Sequence, residues 1–418
     1  MSTKSFNKID FSGLKIYLKE TPKTLGIWLI FGMAIGIPIG LASSIFLYAL
    51  EFVTNYRESN LWIIVLLPIV GLLIGWMYQR SGPRAAAGNN LIFQEYFIPQ
   101  KLMPSLMAPL VLVATLLTHL VGASAGREGT AVQMGAVIAD RFHSIGKKFK
   151  QQRALFILAG VGAGFASLFA TPWAGSIFAI EILRNRSLPL SGLIPSFISS
   201  FTAYYTCLLT GAPHTHYDTL MAPQFSLSLL PYLVLAGMLF GLTALLYIKC
   251  HQWFSTLATI LVKTPIWRPF FGGIVLFAVF FALGDSRYMG LGIPTILASF
   301  QEAVLPYDFM LKLLLTAFTL GFGFKGGEVT PLFFIGATLG NVLALFIPIP
   351  MAFLVGLGFI AVFSGATKTF FACAIMGMEL FGWESGIYFF LVTFVAQLFS
   401  GRASIYKEQP GNRFSVIG

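Results

Sequence analysis

Five stretches of this chain are too long and too apolar for a water-soluble domain: residues 27–50, 61–77, 155–182, 227–248, and 388–398 with what precedes it. A helix needs about 20 apolar residues to cross the hydrocarbon core of a bilayer. The recurrence of such runs confines the chain to an all-α, polytopic membrane protein. Composition agrees, since only 10% of the 418 residues are charged and 56% are hydrophobic. A soluble domain carries about a quarter charged residues.

The apolar runs are repeatedly interrupted. "GIPIGLASS", "LPIVGLLIG" and "ATPWAGSIFAIE" set glycine and proline inside them, and the chain holds 42 glycines and 21 prolines. Irregular backbone at membrane depth survives only where it is buried in protein or lines a cavity. That pattern predicts discontinuous helices around a transport pathway. The net charge of +11 does not indicate nucleic acid, because the basic residues are grouped in two places. One is the N-terminal segment (Lys4, Lys8, Lys15, Lys19, Lys23), and the other is "GKKFKQQR", with Lys147, Lys148, Lys150 and Arg153. Short basic segments beside spans mark the cytoplasmic side. Both termini are therefore expected in the cytoplasm, with residues 1–23 as an amphipathic surface helix and no cleavable leader. Cys207, Cys250 and Cys373 are scattered, which indicates neither a disulfide framework nor a metal cluster. No cofactor is expected.

A weak repeat runs at a spacing of about 200 residues. "GREGTAVQMGAVIA", from Gly126, resembles "GGEVTPLFFIGATLG", from Gly326, and sets Glu128 against Glu328. "GAGFASLFATPWAGSIFAIE", ending at Glu181, resembles "GLGFIAVFSGATKTFFACAIMGMELF", in which Glu379 corresponds. Two halves are expected, residues 24–210 and 225–400, followed by a last helix and tail over 401–418. Transporters built from repeats bind substrate near the midplane, where broken helices of both halves meet.

Charged residues in this setting are costly and read as functional by default. Arg127 and Glu128 sit among glycines at an expected helix start, where unpaired N–H groups and the helix dipole attract anions. A carboxylate there competes for the anion site, and on protonation it lets go. The alternative is a buried Arg–Glu pair that serves packing. Glu328 has the same glycine-before, helix-after setting, with Thr330 and Pro331 following, and its alternative is a salt bridge to Lys325. Asn89 and Asn90 start a helix after Gly88, either capping it or donating to an anion. Tyr406 reads as an interfacial aromatic or as a hydroxyl donor. "GASAG" fits a nucleophile-elbow pattern but has neither the preceding strand nor the histidine partner that chemistry needs. "PHTHYD", with His214, His216 and Asp218, reads as a solvated loop rather than a metal site.

These motifs, in this order, resemble the CLC family of anion channels and proton-coupled antiporters. "GREGT" with "AVQMG" matches the family's GREGP-type segment, and "AGVGAGFASLFATPWAGSIFAIE" matches the stretch after it. "GGEVTP" falls at the family's G-x-F-x-P segment, "AGNNLI" at its GSGIP segment, and Tyr406 at the tyrosine of its last helix. The resemblance covers about residues 24–406. It implies an inverted repeat of roughly eighteen tilted and broken helices, and a homodimer with one pore per subunit. It also implies an external gating glutamate at Glu128, with anion contacts at Asn89, Tyr406, Gly126, Arg127 and Gly129. Proton-coupled chloride members carry an inner glutamate one residue beyond the Glu181 position, where this chain has Ile182. Asn89 replaces the family's serine, and Glu328 and Thr330 stand where small or apolar residues are usual. That combination resembles the fluoride-exporting clade, where these two positions contribute to proton coupling and ion binding. Fluoride is strongly hydrated, so a site must replace its water with good donors. Asn89 and Thr330 supply them. The reading is an inner-membrane fluoride/proton antiporter, and the alternative is a chloride/proton antiporter or passive chloride channel on the same fold.

The orientation is directly testable. Cysteines replacing Lys147 or Lys148 should react with an impermeant thiol reagent only from the cytoplasmic side, and labelling from outside intact cells refutes the assignment.

Overall fold

A computed structural model of the chain describes residues 21–146, 152–184, 188–224 and 226–409. The amphipathic helix expected over residues 1–23 and the lysines of the basic loop lie almost wholly outside these. Seventeen α-helices make up the described chain, in two series. The first comprises α1 (Thr21–Ser59), α2 (Leu67–Ser81), α3 (Pro83–Ala86), α4 (Asn89–Phe97), α5 (Met107–Leu120), α6 (Glu128–Gly146), α7 (Arg153–Phe169), α8 (Pro172–Ile182) and α9 (Leu193–Leu209). The second comprises α10 (Leu230–Leu261), α11 (Arg268–Leu283), α12 (Ile293–Gln301), α13 (Asp308–Gly321), α14 (Val329–Leu343), α15 (Met351–Thr367), α16 (Phe370–Phe381) and α17 (Gly386–Phe399). Five helical segments are long and apolar enough to cross a membrane. With 39 residues, α1 is about 58 Å long at 1.5 Å per residue, so it must tilt or project from a 30 Å core.

One expected span is two helices. The apolar run 155–182 breaks at Ala170, which takes left-handed φ 58° and ψ 34° before Pro172 opens α8. Proline suits a first helical turn, and it holds the residue before it out of the helical region. The second half breaks at the equivalent place without a proline. Lys368 is left-handed there, with φ 64°. Its wholly buried ammonium donates to the carbonyls of Gly365 and Ser400 and to the Ser400 hydroxyl. A side chain thus satisfies carbonyl groups that the end of a helix leaves open.

Packing devices recur in both halves. The α6–α7 contact is so close that a Cβ on Gly135 would lie 2.2 Å from the Gly160 carbonyl oxygen, and one on Gly336 would lie 2.0 Å from that of Gly358 in the α14–α15 contact. Only glycine permits helix axes this near. Between the halves, α8 and α16 cap one another. The Glu181 carboxylate accepts N–H groups of Phe371 (3.3 Å) and Ala372 (2.9 Å), and Glu379 accepts those of Trp173 (3.0 Å) and Ala174 (2.7 Å). Each carboxylate sits on the positive end of the opposite helix. Reciprocal contacts of this kind are what an approximate twofold relation between the two series of helices produces.

The register of that symmetry corrects the pairing of the two glutamates. Gly126 and Gly327 form an antiparallel backbone bridge, with N–H···O distances of 2.6 and 2.8 Å. The turns before them match as well: Gly122 and Gly323 have φ 80° and 98°, and Ala123 and Phe324 donate to Thr118 and Thr319. Gly126 therefore corresponds to Gly327, so Glu128 corresponds to Val329 and Glu328 to Arg127. Sequence matching had aligned carboxylate with carboxylate, whereas the backbone turn aligns glycine with glycine. A second correction concerns the tail. Residues 401–409 form bends and turns, not a helix, because Gly401 at φ 70° turns the chain back. There the Ile405 N–H binds the Ala366 carbonyl at 3.1 Å.

The crossed caps give a stability prediction. Glu181→Ala or Glu379→Ala leaves two helix N–H groups without their charged acceptor and should cost about 1.5–3 kcal/mol each. Glutamine, which keeps an acceptor oxygen, should cost less. Thermal unfolding in detergent measures this, and alanine variants with the parent unfolding temperature would show that the caps contribute nothing.

Candidate ion pathway

The site is built where α6 and α14 begin. Their N-termini approach head to head across the Gly126–Gly327 bridge, which brings two sets of unpaired N–H groups and two positive dipole ends together. Side chains are excluded at this point. A Cβ on Gly327 would lie 2.5 Å from a Glu128 carboxylate oxygen and 2.8 Å from the Glu128 and Gly129 nitrogens, and one on Gly126 would meet the same carboxylate at 2.5 Å. The Glu128 carboxylate fills the space this leaves. It is 1% exposed, folds back to accept the Arg127 N–H at 3.0 Å, and accepts a hydrogen bond from the Thr330 hydroxyl. A carboxylate held by a helix start and a hydroxyl occupies the position in which a free anion would be bound.

Two cavities of very different size lie on either side of Glu128. One is a wide mouth of about 740 Å³ lined by Asn89, Asn90, Gln133, Lys325, Glu328 and Tyr406, among others. The other is a narrow chamber of about 10 Å³, lined by Arg127, Thr330, Thr215 and Tyr217 with apolar neighbours. That space holds about one water-sized species. The Thr330 hydroxyl that bonds Glu128 belongs to the chamber lining, and Asn89, against the first turn of α6, belongs to the mouth, which sets Glu128 between them.

Asn89 is the first residue of α4, behind the Gly88 N-cap, and no side chain caps that helix. Capping is thus not what the asparagines do. The Asn89 amide nitrogen lies 3.2 Å from where a Cβ on Gly129 would stand, in the first turn of α6, and its buried Oδ1 has no hydrogen-bond partner. Glu328 is the N-cap residue of α14 and makes no side-chain cap bond. It makes no ion pair with Lys325, whose ammonium lies 4.4 Å from the centre of the Tyr78 ring. Tyr406 is 8% exposed and packs against Phe93, with ring centres 5.6 Å apart. Arg127 parts company with Glu128. It turns to the chamber, 7% exposed, its Nε without a partner, which removes the simple buried Arg–Glu pair.

The helix that carries Asn89 to the mouth is held by an ion network rather than by loose charges. Arg153 binds Glu95 at 2.7 Å and Asp140 at 2.6 Å, and Arg84 binds Glu95 at 2.5 Å. Glu95 and Asp140 are 4% and 0% exposed, so this ties α4, α6 and α7 together behind Asn89. Arg153 therefore has a structural task beyond marking a membrane face. Trp28 near the start of α1 packs on Phe156 near the start of α7, which puts those two helix starts on one face.

Four residues near the pathway were not singled out from sequence. Gln133 follows Gly129 by one helical turn and lines the mouth, a spacing that was legible. Tyr247 of α10 is wholly buried with an unpartnered hydroxyl, and nothing in its apolar run signals that. Thr215 and Tyr217 belong to the stretch read as a solvated loop. His216 and Asp218 are exposed as expected, but His214 bonds the Ser167 carbonyl at 2.8 Å, and Thr215 and Tyr217 turn to the chamber. Ser124, of the elbow-like "GASAG", is bonded to the Thr316 hydroxyl at 2.8 Å. Among the described residues no three His, Cys, Asp or Glu side chains converge as metal ligands.

Comparison with known proteins bears on this geometry. The family model for voltage gated chloride channels matches residues 70–401. A chloride/fluoride channel protein of Pseudomonas syringae pv. tomato is 40% identical over 389 residues, covering 91% of this chain and 86% of that protein. The crystal structure of a CLC-type fluoride/proton antiporter superposes with a TM-score of 0.89 at 36% identity, covering 93% of this chain and 99% of the other. A slow cyanobacterial Cl⁻/H⁺ antiporter shares the fold, with a TM-score of 0.78 at 20% identity over 91% of this chain and 96% of the other. Two helix starts meeting at a glycine bridge, repeated devices in two halves, and a match that spans most of the sequence lead to one conclusion: this chain is a multi-pass membrane protein of the voltage-gated chloride channel, or CLC, family.

Proposed function

We propose that this chain is an inner-membrane antiporter that exports fluoride from the cytoplasm in exchange for protons. The observation that carries the reading is the Glu128 carboxylate, seated on the joined helix starts between the wide mouth and the narrow chamber. When deprotonated, it occupies the anion's place. When it takes a proton its hold on the N–H groups weakens, and an anion takes its position, so proton and anion occupancy alternate. Asn89 brings amide donors and Thr330 a hydroxyl, the kind of group that offsets the loss of water around a small, strongly accepting ion. Glu328 lines the mouth as the N-cap residue of α14, and we assign it the proton step on that side. Tyr406 contributes a hydroxyl to the anion's approach. The related proteins described as a chloride/fluoride channel and a fluoride/proton antiporter support the choice of ion.

The wide mouth is assigned to the cytoplasm, together with both termini, because the helix starts flanking the two basic segments share its face. The halves run over 24–210 and 225–400. Two copies are proposed to pair through the exposed aromatic face around Trp173, Phe371 and Trp383, which are 47%, 43% and 58% exposed. The alternative reading, a chloride/proton antiporter or passive chloride channel, is disfavoured by Ile182. This buried residue stands where the inner glutamate would be, and the adjacent Glu181 is committed to the start of α16.

Three outcomes are expected in liposomes of the full-length protein. A fluoride gradient should drive protons uphill, and Glu128→Gln should abolish that coupling; coupling that survives in the variant removes Glu128 from this role. Glu328→Gln should remain folded with weakened coupling, and unchanged exchange would make Glu328 structural. A hydrogen bond to a charged group is worth about 1.5–3 kcal/mol, so Asn89→Ala should move the ratio of fluoride to chloride transport toward chloride by roughly tenfold or more. Asn90→Ser should do far less than Asn89→Ser, and the reverse order would transfer the role to Asn90. Equal proton movement driven by chloride in the parent protein would favour the alternative reading.

A further inference from the structure

The narrow chamber is the part of the pathway that the fluoride reading leaves without a ligand set, and the inference below rests on that reading. Arg127 is the one charged residue lining it, with Thr330, Thr215 and Tyr217 as the polar remainder and no carboxylate among them. The Arg127 guanidinium is unusually exposed to need. It is 93% buried by its 7% exposure, its Nε has no partner, and no described residue forms an ion pair with it. The adjacent Glu128 carboxylate bonds Thr330 and the backbone rather than the guanidinium. A buried cation with an open donor is costly, so an anion in the chamber would complete its contacts. The space admits about one water-sized species, which suits a small monoatomic anion.

Tyr217 enters this chamber by the route Tyr406 takes to the mouth. Tyr217 lies eight residues beyond Leu209, the end of α9, and Tyr406 lies seven beyond Phe399, the end of α17. Each follows the last helix of its half, and each segment is tied back to the end of the long broken helix of that half. His214 bonds Ser167 near the end of α7, and Ile405 bonds Ala366 near the end of α15. The Tyr217 ring is gripped by Phe359 and Phe381 at 5.2 and 5.6 Å and by Phe300 at 6.2 Å, while Leu220 is pinned to the Phe381 carbonyl at 2.9 Å. No described residue is hydrogen-bonded to its hydroxyl. The helix start that presents Asn89 to the mouth has its counterpart at α12, but there the first residue is Ile293, which lines the chamber and offers no donor. The loop supplies what α12 does not.

We propose that Tyr217 is the counterpart of Tyr406 on the far side of Glu128, and that its hydroxyl, with the Arg127 guanidinium, forms a second binding position for fluoride in the narrow chamber. Tyr217→Phe keeps the ring in its aromatic box and removes only the donor. The experiment measures the apparent KM for fluoride separately from each face of the full-length protein in liposomes, with one orientation silenced by an impermeant blocker. Tyr217→Phe should raise KM on the chamber face by about tenfold or more and change it less than twofold on the mouth face; Tyr406→Phe should do the reverse. Unfolding temperatures of both variants should match the parent. An unchanged KM on the chamber face, or an equal shift on both faces, overturns the proposal while leaving fluoride export intact. A parent protein that does not exchange fluoride at all overturns the reading on which the proposal rests.

Discussion

Two helices that begin at the same place, pointing at one another, create the constraint that the rest of the molecule satisfies. Their unpaired N–H groups and dipoles concentrate positive potential at the Gly126–Gly327 bridge. In a low-dielectric interior that potential is strong and needs a negative partner. Glu128 supplies it from within the chain, hydrogen-bonded to the backbone and to Thr330. The internal partner occupies a place that suits an external anion equally well, and the proposed exchange rests on that competition.

Holding the two helix starts in place is the work of devices that the two halves share. Glycine pairs bring α6 onto α7 and α14 onto α15. The crossed carboxylates of Glu181 and Glu379 lock α8 to α16. On the mouth side, the Glu95–Arg153–Asp140 network anchors α4, and through it Asn89. Buried charges of this kind add little stability over apolar residues, but removing one partner strands the others. Their contribution here is to fix the direction of α4.

Symmetry sets the frame, and departures from it set the function. Asn89 on one side corresponds to Ile293 on the other, and Glu328 corresponds to Arg127. One face of the pathway therefore carries amides and a carboxyl group, and the other carries a guanidinium beside apolar rings. The mouth is wide and the chamber holds a single small species. In the proposed exchange, an ion passing between them would trade one kind of donor for another at Glu128.

The membrane class and the helical fold were legible in the sequence, as were Glu128, Glu328, Asn89, Thr330 and Tyr406 as polar groups set among apolar ones. Apolar length, glycine spacing and an isolated charge each carry their physical cost locally, and a local cost leaves a local mark. The same is true of Gln133, one turn beyond Gly129. Other features left no such mark. The break at Lys368 has no proline; the left-handed lysine is held by its ammonium on the Gly365 carbonyl and on the distant Ser400 carbonyl and hydroxyl. The one-residue offset that separates Glu328 from Glu128 in the repeat is fixed by backbone pairing, not by side-chain type. Arg153 looked like a surface charge until two carboxylates from other helices closed on it. Tyr217 sat in a loop whose polarity suggested solvent, and only the packing of three phenylalanines and the anchors at Ser167 and Phe381 turned it inward. Sequence determined which groups could not be left in lipid; tertiary structure decided which of them face one another, because that depends on contacts between residues more than 200 positions apart.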